Sequence, residues 1–483
     1  MSVSLIAVTP EILITTTALL VLLLDLFTQR KGILTGVTLL GIALTFWFTT
    51  QLMGEEIVAF NGMFTLDLFG IFFKIIFLLS AALTVLVSAR LLTQEGRHVG
   101  EYYVLLLSST LGMMVMASGT DFLSIFLGLE LMVLPVYVLA GFVKGEAMSN
   151  EAGLKYLLLG TFSAGILLYG ISLFYGITGS TNLLTIQDRL ATDEGTSSYT
   201  LFFATTLLIA GFGFKIAAVP FHMWTPDAYE GAPTPITGFM SVGPKAAGFA
   251  ALLRVFMIAL HPLRQEWLLF IAILSVLTMT LGNTVAIAQG NIKRMFAYSS
   301  IAHAGYILIG LVVAENPVKT EGLPDGLTSI LFYLFAYALM NIGVFAMVFL
   351  LQKHHGGISI EGFNGLAEKR PGLAAVMMIF LLSLTGIPPT LGFVGKLYLF
   401  GAAIESGFTW LAIIGVLNAV IAAFYYFRII LNMYMKKPQG EFTFTPSQPL
   451  MIAVGATALA TLFFGLYPKP IVEFARQAIL QLL

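Results

Sequence analysis

Four charged residues stand where charge is expensive. Glu130 lies in Phe126-Leu127-Gly128-Leu129-Glu130-Leu131-Met132, and Lys215 follows about 15 apolar or small residues. Lys245 sits in Val242-Gly243-Pro244-Lys245-Ala246-Ala247, and Lys396 lies inside a further apolar run. An ion facing lipid at the centre of a membrane helix costs about 2.5–3.5 kcal/mol, so all four are expected to face the bundle interior and find partners or water. Glu130 is about 13 Å along a helix from Asp121, deep in the bilayer. A carboxylate beside a buried lysine strengthens the ammonium's hold on its proton, and separation weakens it. Glu130 moving toward and away from Lys215 is therefore a switchable proton site. Carrying one charge against 100 mV needs about 2.3 kcal/mol, which such a switch can supply. The other reading of the pair is a static bridge that orients helices.

His222, just past Pro220, and His303, in Ser299-Ser300-Ile301-Ala302-His303-Ala304-Gly305-Tyr306, are of the residue type that titrates near neutrality. Each is a candidate secondary proton relay, and each serves equally as a hydrogen-bonded core histidine. Lys155, near the start of its helix, is a third candidate whose stem can also snorkel to the headgroups. Two histidines without clustered carboxylates make a poor metal site, so no metal is expected. Lys74, Asp25 and Arg254 read as residues solvated close to an interface, and the 20 Met and 40 Phe as helix packing.

The elements that hold these residues are membrane helices. Of 483 residues, 58% are hydrophobic and 10% charged, where a soluble protein carries about 25% charge. At about 20 residues per span the apolar stretches give about 14 spans, from about Glu11–Phe27 to Leu450–Leu466, and leave no soluble domain of useful size. The first stretch has no Lys or Arg before it and no small-residue cleavage site after it, so it reads as a retained span. A net charge of −1 provides no basic patch for nucleic acid, and zero cysteines exclude disulfides, thiolate nucleophiles and iron–sulfur ligation. There is no phosphate loop, dinucleotide fingerprint or haem-attachment motif, so no ATP hydrolysis or electron transfer is expected of this chain.

Numbering the connections between spans, the odd ones hold Arg30, Lys31, Arg90, Arg97, Lys144, Lys293, Arg294, Lys353, Lys369, Arg370, Lys436 and Lys437. The even ones hold little beyond Arg189, Arg264 and Lys319. The positive-inside rule places the odd connections in the cytoplasm and both termini, with the acidic Glu55–Glu56 loop, outside. One miscounted span would move the C-terminus across.

Gly211-Phe212-Gly213-Phe214-Lys215 and Gly392-Phe393-Val394-Gly395-Lys396 share Gly-Phe-x-x-Lys, 181 residues apart, each in an apolar stretch interrupted by proline. Pro220 follows the first lysine; Pro388 and Pro389 precede the second by about two turns. Proline removes a backbone donor and clashes with the preceding turn, so both helices are expected to break near mid-membrane. Paired broken helices in two halves of a chain point to an ion path.

These residues resemble the proton-translocating, antiporter-like subunits of respiratory complex I and of multisubunit cation/proton antiporters. The longest match runs from Gly211 through Lys215, Pro220, His222, Trp224 and Asp227 to Pro233; others are Asn291–Tyr306 and Leu384–Lys396. Together they cover about Tyr102 to Met433. Within the family, Lys396, where the M-type group carries glutamate, and the lack of a long lateral helix after the last span fit the N-type group of NADH:quinone oxidoreductase. The resemblance implies an all-α polytopic membrane fold of about 14 transmembrane helices, with two inverted five-helix repeats and two proline-broken helices. Residues 1–101 then form the N-terminal helices, 102–260 and 261–433 the repeats, and 434–483 the last helix and a short amphipathic tail. In that scheme Glu130 partners Lys215, Lys245 is the central relay and Lys396 sits toward the exit. It also implies no cofactor on this chain, with FMN, iron–sulfur clusters and quinone in partner subunits of a bacterial plasma membrane complex or a thylakoid counterpart. A sodium/proton antiporter subunit and a membrane scaffold are the rival readings.

Overall fold

The computed structural model describes residues 3–28, 32–95, 99–192, 199–314, 322–352, 359–438 and 447–483. The helices, in order, are α1 (Val3–Ala7), α2 (Thr9–Phe27), α3 (Gly32–Gln51), α4 (Leu68–Glu95), α5 (Val99–Ser118), α6 (Phe122–Ala140) and α7 (Ala147–Thr178). There follow α8 (Leu183–Thr192), α9 (Tyr199–Ile216), α10 (Trp224–Gly231), α11 (Thr234–Arg254), α12 (Arg264–Ile287), α13 (Ile292–Val312) and α14 (Gly326–Leu351). The last are α15 (Leu366–Lys369), α16 (Pro371–Thr385), α17 (Leu391–Glu405), α18 (Thr409–Met435), α19 (Gln448–Leu466) and α20 (Lys469–Leu482). A hairpin of β1 (Ile57–Ala59) and β2 (Phe64–Leu66) joins α3 to α4. Long apolar runs dictate helices because a bilayer leaves no other partner for the backbone. Three of them start on a side-chain cap, α6, α13 and α14: Asp121 accepts from Leu123 N, Asn291 from Lys293 N, and Asp325 from Thr328 N.

Among the described residues, 13 helical segments are long and apolar enough to cross a membrane. The remaining crossing is the pair α16 and α17, each 15 residues, joined through the second break. Contacts between connections confirm this count. The odd connections meet at one end: Lys155 reaches Asp227, Arg294 reaches Asp227 and Glu230, Ile360 N donates to Gly290 O, and Gly365 N to Asn432 O. The even ones meet at the other, where Phe64 pairs with Gly119, Asn182 Nδ2 donates to Gly62 O, and Ser406 Oγ to Val313 O. Both chain ends lie at this even end: α1 packs on β1, and Gln481 Oε1 in α20 accepts from Leu68 N at 2.6 Å. Of the basic residues that set the orientation, Arg30, Lys31, Arg97, Lys319 and Lys353 lie outside the described residues, as does the side chain of Arg90.

Helices α11, α13 and α14 are almost wholly buried and form the centre, with α2, α3 and α19 at the periphery. Glycines set two of the closest helix contacts. A Cβ on Gly112 of α5 would stand 2.3 Å from Met132 N of α6, and one on Gly305 of α13 would stand 2.5 Å from Met279 N of α12. Neither neighbour is a movable side-chain tip, so the small residue is what lets the backbones approach. Gly112→Leu is expected to destabilise the protein by at least about 1–3 kcal/mol. Gly165→Ala, with nothing within 4 Å, is the neutral control. Thermal melting of the two purified variants checks this.

Two residues expected near a solvated interface are instead buried in pairs. Arg254 Nη2 lies 2.8 Å from both carboxylate oxygens of Asp67, and Lys74 Nζ lies 2.8 Å from Glu11 Oε1 with its side chain fully covered. Their partners come from other segments of the chain, Asp67 just before α4 and Glu11 on α2, so an approximate distance from the end of an apolar run did not reveal them. Asp25 is half-buried near Gly100.

Candidate functional site

The first break is built from the end of α9. Ala217 takes a left-handed conformation (φ 62°), Ala217 N donates to Phe214 O, and Ala218 N to Gly213 O at 2.7 Å, closing the helix. Val219 N, which has left the helix, donates to Thr278 Oγ1 of α12 at 2.9 Å. The chain resumes as α10, whose Trp224 Nε1 reaches back to Phe214 O at 3.0 Å. Lys215 is thus in the last turn before the break, 5% exposed, with Gly248 of α11 against its Cβ. Gly248 is near the middle of the Thr234–Ala259 span, so Lys215 lies near mid-depth. Its Nζ finds no hydrogen-bond partner within the protein, and neither does Glu130 Oε1 on α6. Neither atom hydrogen-bonds to the other.

The second break ends α16 in the same manner, with Gly386 left-handed (φ 92°) and Ile387 N donating to Leu382 O. Both breaks hold a cis X–Pro bond, Val219–Pro220 and Pro388–Pro389. Here the lysine belongs to the second half: Lys396 of α17 turns back so that Nζ donates to Leu384 O at 3.0 Å and Thr385 O at 2.8 Å. A cation thereby caps the carbonyl end of a half-helix, where the helix dipole favours it.

Lys245 lies on α11 one turn before Gly248, and Nζ donates to Ser300 O at 2.6 Å and Ser300 Oγ at 2.5 Å on α13. Three residues on, His303 joins Tyr333 OH through Nδ1 at 2.7 Å and Tyr426 OH through Nε2 at 3.1 Å. Tyr426 OH also meets Ser299 Oγ at 2.5 Å. Tyr337 faces both the Lys245 ammonium, at 5.9 Å, and the His303 ring, at 5.1 Å; Tyr306 faces His303 at 5.7 Å and the Lys396 ammonium at 5.0 Å. Ring contacts therefore run from Lys245 through Tyr337, His303 and Tyr306 to Lys396, all of them buried. The tyrosines and serines of this path are not evident from the sequence, although Tyr333 and Tyr337, four apart in a largely apolar helix, share one face.

His222 sits in the first break, half-buried, its Nδ1 without a protein partner. Lys155 stands outside the buried row, at the odd-connection end, bridging Glu151 at 2.6 Å and Asp227 at 2.7 Å with 43% of its side chain exposed. Asp227 also holds Arg294 at 2.6 Å. Burial pushes the Asp227 carboxyl up, but the hydrogen bonds from Lys155 and Arg294 outweigh it and hold it below the usual carboxylate range. Among the described residues no group of three or more His, Asp or Glu is placed to hold a metal ion.

A helical bundle with two broken helices and a row of buried lysines between them is an antiporter-like membrane subunit. Residues 119–422 match the NADH:quinone oxidoreductase/Mrp antiporter transmembrane family, and the chain belongs to that family. It is 46% identical to NADH-quinone oxidoreductase subunit N of Trichlorobacter lovleyi, over 99% of this chain and 97% of the relative. Identity to subunit N 2 of Rhizobium meliloti is 44%, over 97% and 96%. Among solved structures, a chain of respiratory complex I from Thermus thermophilus superposes with a TM-score of 0.81 at 33% identity, covering 96% of this chain and 98% of that one. A chain of the Mrp complex from Dietzia shares the fold, with a TM-score of 0.82 at 21% identity and coverage of 100% and 98%.

Proposed function

We propose that this chain is a proton-translocating membrane subunit of an NADH:quinone oxidoreductase, driven by quinone reduction in neighbouring subunits. The observation that carries this is the buried run of contacts from Lys245 through Tyr337, His303 and Tyr306 to Lys396, with Lys215 set against Gly248, one turn along α11 from Lys245. Such groups are costly inside a membrane and are retained where charge must move. Lysines and a histidine exchange protons; the hydroxyls of Ser300 at Lys245 and of Tyr333 and Tyr426 at His303 take and return them; polar atoms without protein partners, as at Lys215 and Glu130, suit hydrogen bonding to water that completes the path. His222 and Lys155 serve as side entries to this row.

Residues 102–260 and 261–433 act as two repeats. Both contain a glycine-mediated helix pair and a broken helix closed by a left-handed residue, and an odd number of spans in each inverts the second relative to the first. FMN, iron–sulfur clusters and quinone belong to partner subunits, and both termini face outside the bacterial plasma membrane.

The test uses inverted membrane vesicles, with donor-driven quinone reduction and lumen acidification followed together and sodium-gradient exchange alongside. Lys245→Ala is expected to lower acidification per electron in assembled complex. Loss of sodium/proton exchange with redox turnover untouched would instead identify an antiporter subunit, and full pumping by the variant would identify a scaffold.

A further inference from the structure

The start of α13 grips the outer half of the first broken helix. Lys293, fully buried, donates Nζ to Glu230 O at 2.7 Å and Ala232 O at 2.6 Å, the carbonyls at the end of α10. Arg294 Nη1 lies 2.6 Å from Asp227 Oδ1 and 2.8 Å from Glu230 Oε2, both on α10, and Asn291 Nδ2 donates to Glu230 Oε1 at 2.9 Å. A cation on terminal carbonyls and a guanidinium across two carboxylates together fix an eight-residue helix that could not hold its own place. At its other end α10 carries Trp224, which stacks on Tyr156 of α7 with ring centroids 4.3 Å apart and donates to the carbonyl of Phe214, the residue before Lys215. Two turns beyond Lys293, the same α13 carries Ser300, the acceptor for Lys245.

We propose that Lys293 and Arg294 are positioning residues that couple the two halves of the proton path: through α10 and Trp224 they register the Lys215 end of α9 against the Ser300–His303 face of α13. Neither touches the row of proton carriers, and both act through backbone they hold. This rests on the proton-translocation reading above.

The experiment measures protons per electron in inverted vesicles for Arg294→Gln, Arg294→Lys and Glu230→Gln, beside Lys215→Ala, each in assembled complex. A purely structural role lowers the amount of complex and leaves this ratio unchanged. Arg294→Gln is expected to bring the ratio to the Lys215→Ala level, and Arg294→Lys, which keeps the charge but not the planar guanidinium, to restore part of it. Should Arg294→Gln fail to assemble, Glu230→Gln leaves Arg294 on Asp227 and is expected to give an intermediate ratio. A full ratio in assembled Arg294→Gln or Glu230→Gln overturns the proposal. A full ratio in Lys215→Ala overturns the proton-translocation reading itself, and the coupling with it.

Discussion

Lys215→Ala and Lys215→Arg are both expected to stop proton transfer through this chain while leaving the complex assembled. Removing a side chain that hands on a proton costs about 10²- to 10⁴-fold in the step it serves. The arginine variant separates two roles that alanine confounds. If Lys215 only balanced Glu130 and held α6 to α9, a guanidinium would preserve the positive charge and pumping would survive. If Lys215 must release its proton, arginine fails as alanine does, because a guanidinium stays protonated at any working pH. The structure favours the second outcome. Lys215 is 5% exposed, and its ammonium has no hydrogen-bond partner in the protein, Glu130 included. A load-carrying bridge has the geometry of Arg254 and Asp67, two short bonds and full burial, which this pair lacks. Acidification per electron in vesicles carrying each variant decides between them; normal pumping by Lys215→Arg would leave only the bridging role.

The charged row was legible because each member interrupts an apolar run, and in a bilayer that contrast is large. The breaks were legible for a narrower reason than proline alone. Pro135 and Pro244 lie inside α6 and α11, which continue through them, whereas the segments at Pro220 and Pro388–Pro389 end in a left-handed residue, Ala217 or Gly386. Proline marks a lost donor; whether the helix stops depends on what receives the freed groups, here Thr278 for Val219 and Lys396 for the carbonyls of α16. The linking groups were hidden because Tyr306, Tyr333, Tyr337 and Tyr426 pack as aromatics do, and only the fold brings their hydroxyls or rings to His303 and the lysines. Arg254 and Asp67 are 187 residues apart, and periodicity within one helix carries no information about such a partner.

That pair supports the second large effect: Arg254→Ala is expected to destabilise the protein by about 3–5 kcal/mol, because it strands a carboxylate in a dry interior. Asp67 has almost no access to water, and its Oδ1 already accepts from Gly70 N at 2.6 Å at the start of α4. Arg254 also donates Nε to Ala117 O at 2.6 Å and lies over the Phe69 ring at 4.8 Å, so one side chain ties α11 to the ends of α4 and α5. Removing both charges costs less than removing one. Arg254→Met with Asp67→Leu is therefore expected to recover part of the lost stability, the remainder reflecting the uncapped Gly70 N and Ala117 O. Thermal melting and the yield of assembled complex measure this. Equal loss in the single and double variants would assign the effect to packing of the arginine stem. Pumping per electron in whatever complex assembles is expected to stay normal, since a guanidinium paired this closely serves as a fixed tie among helices at the even-connection end.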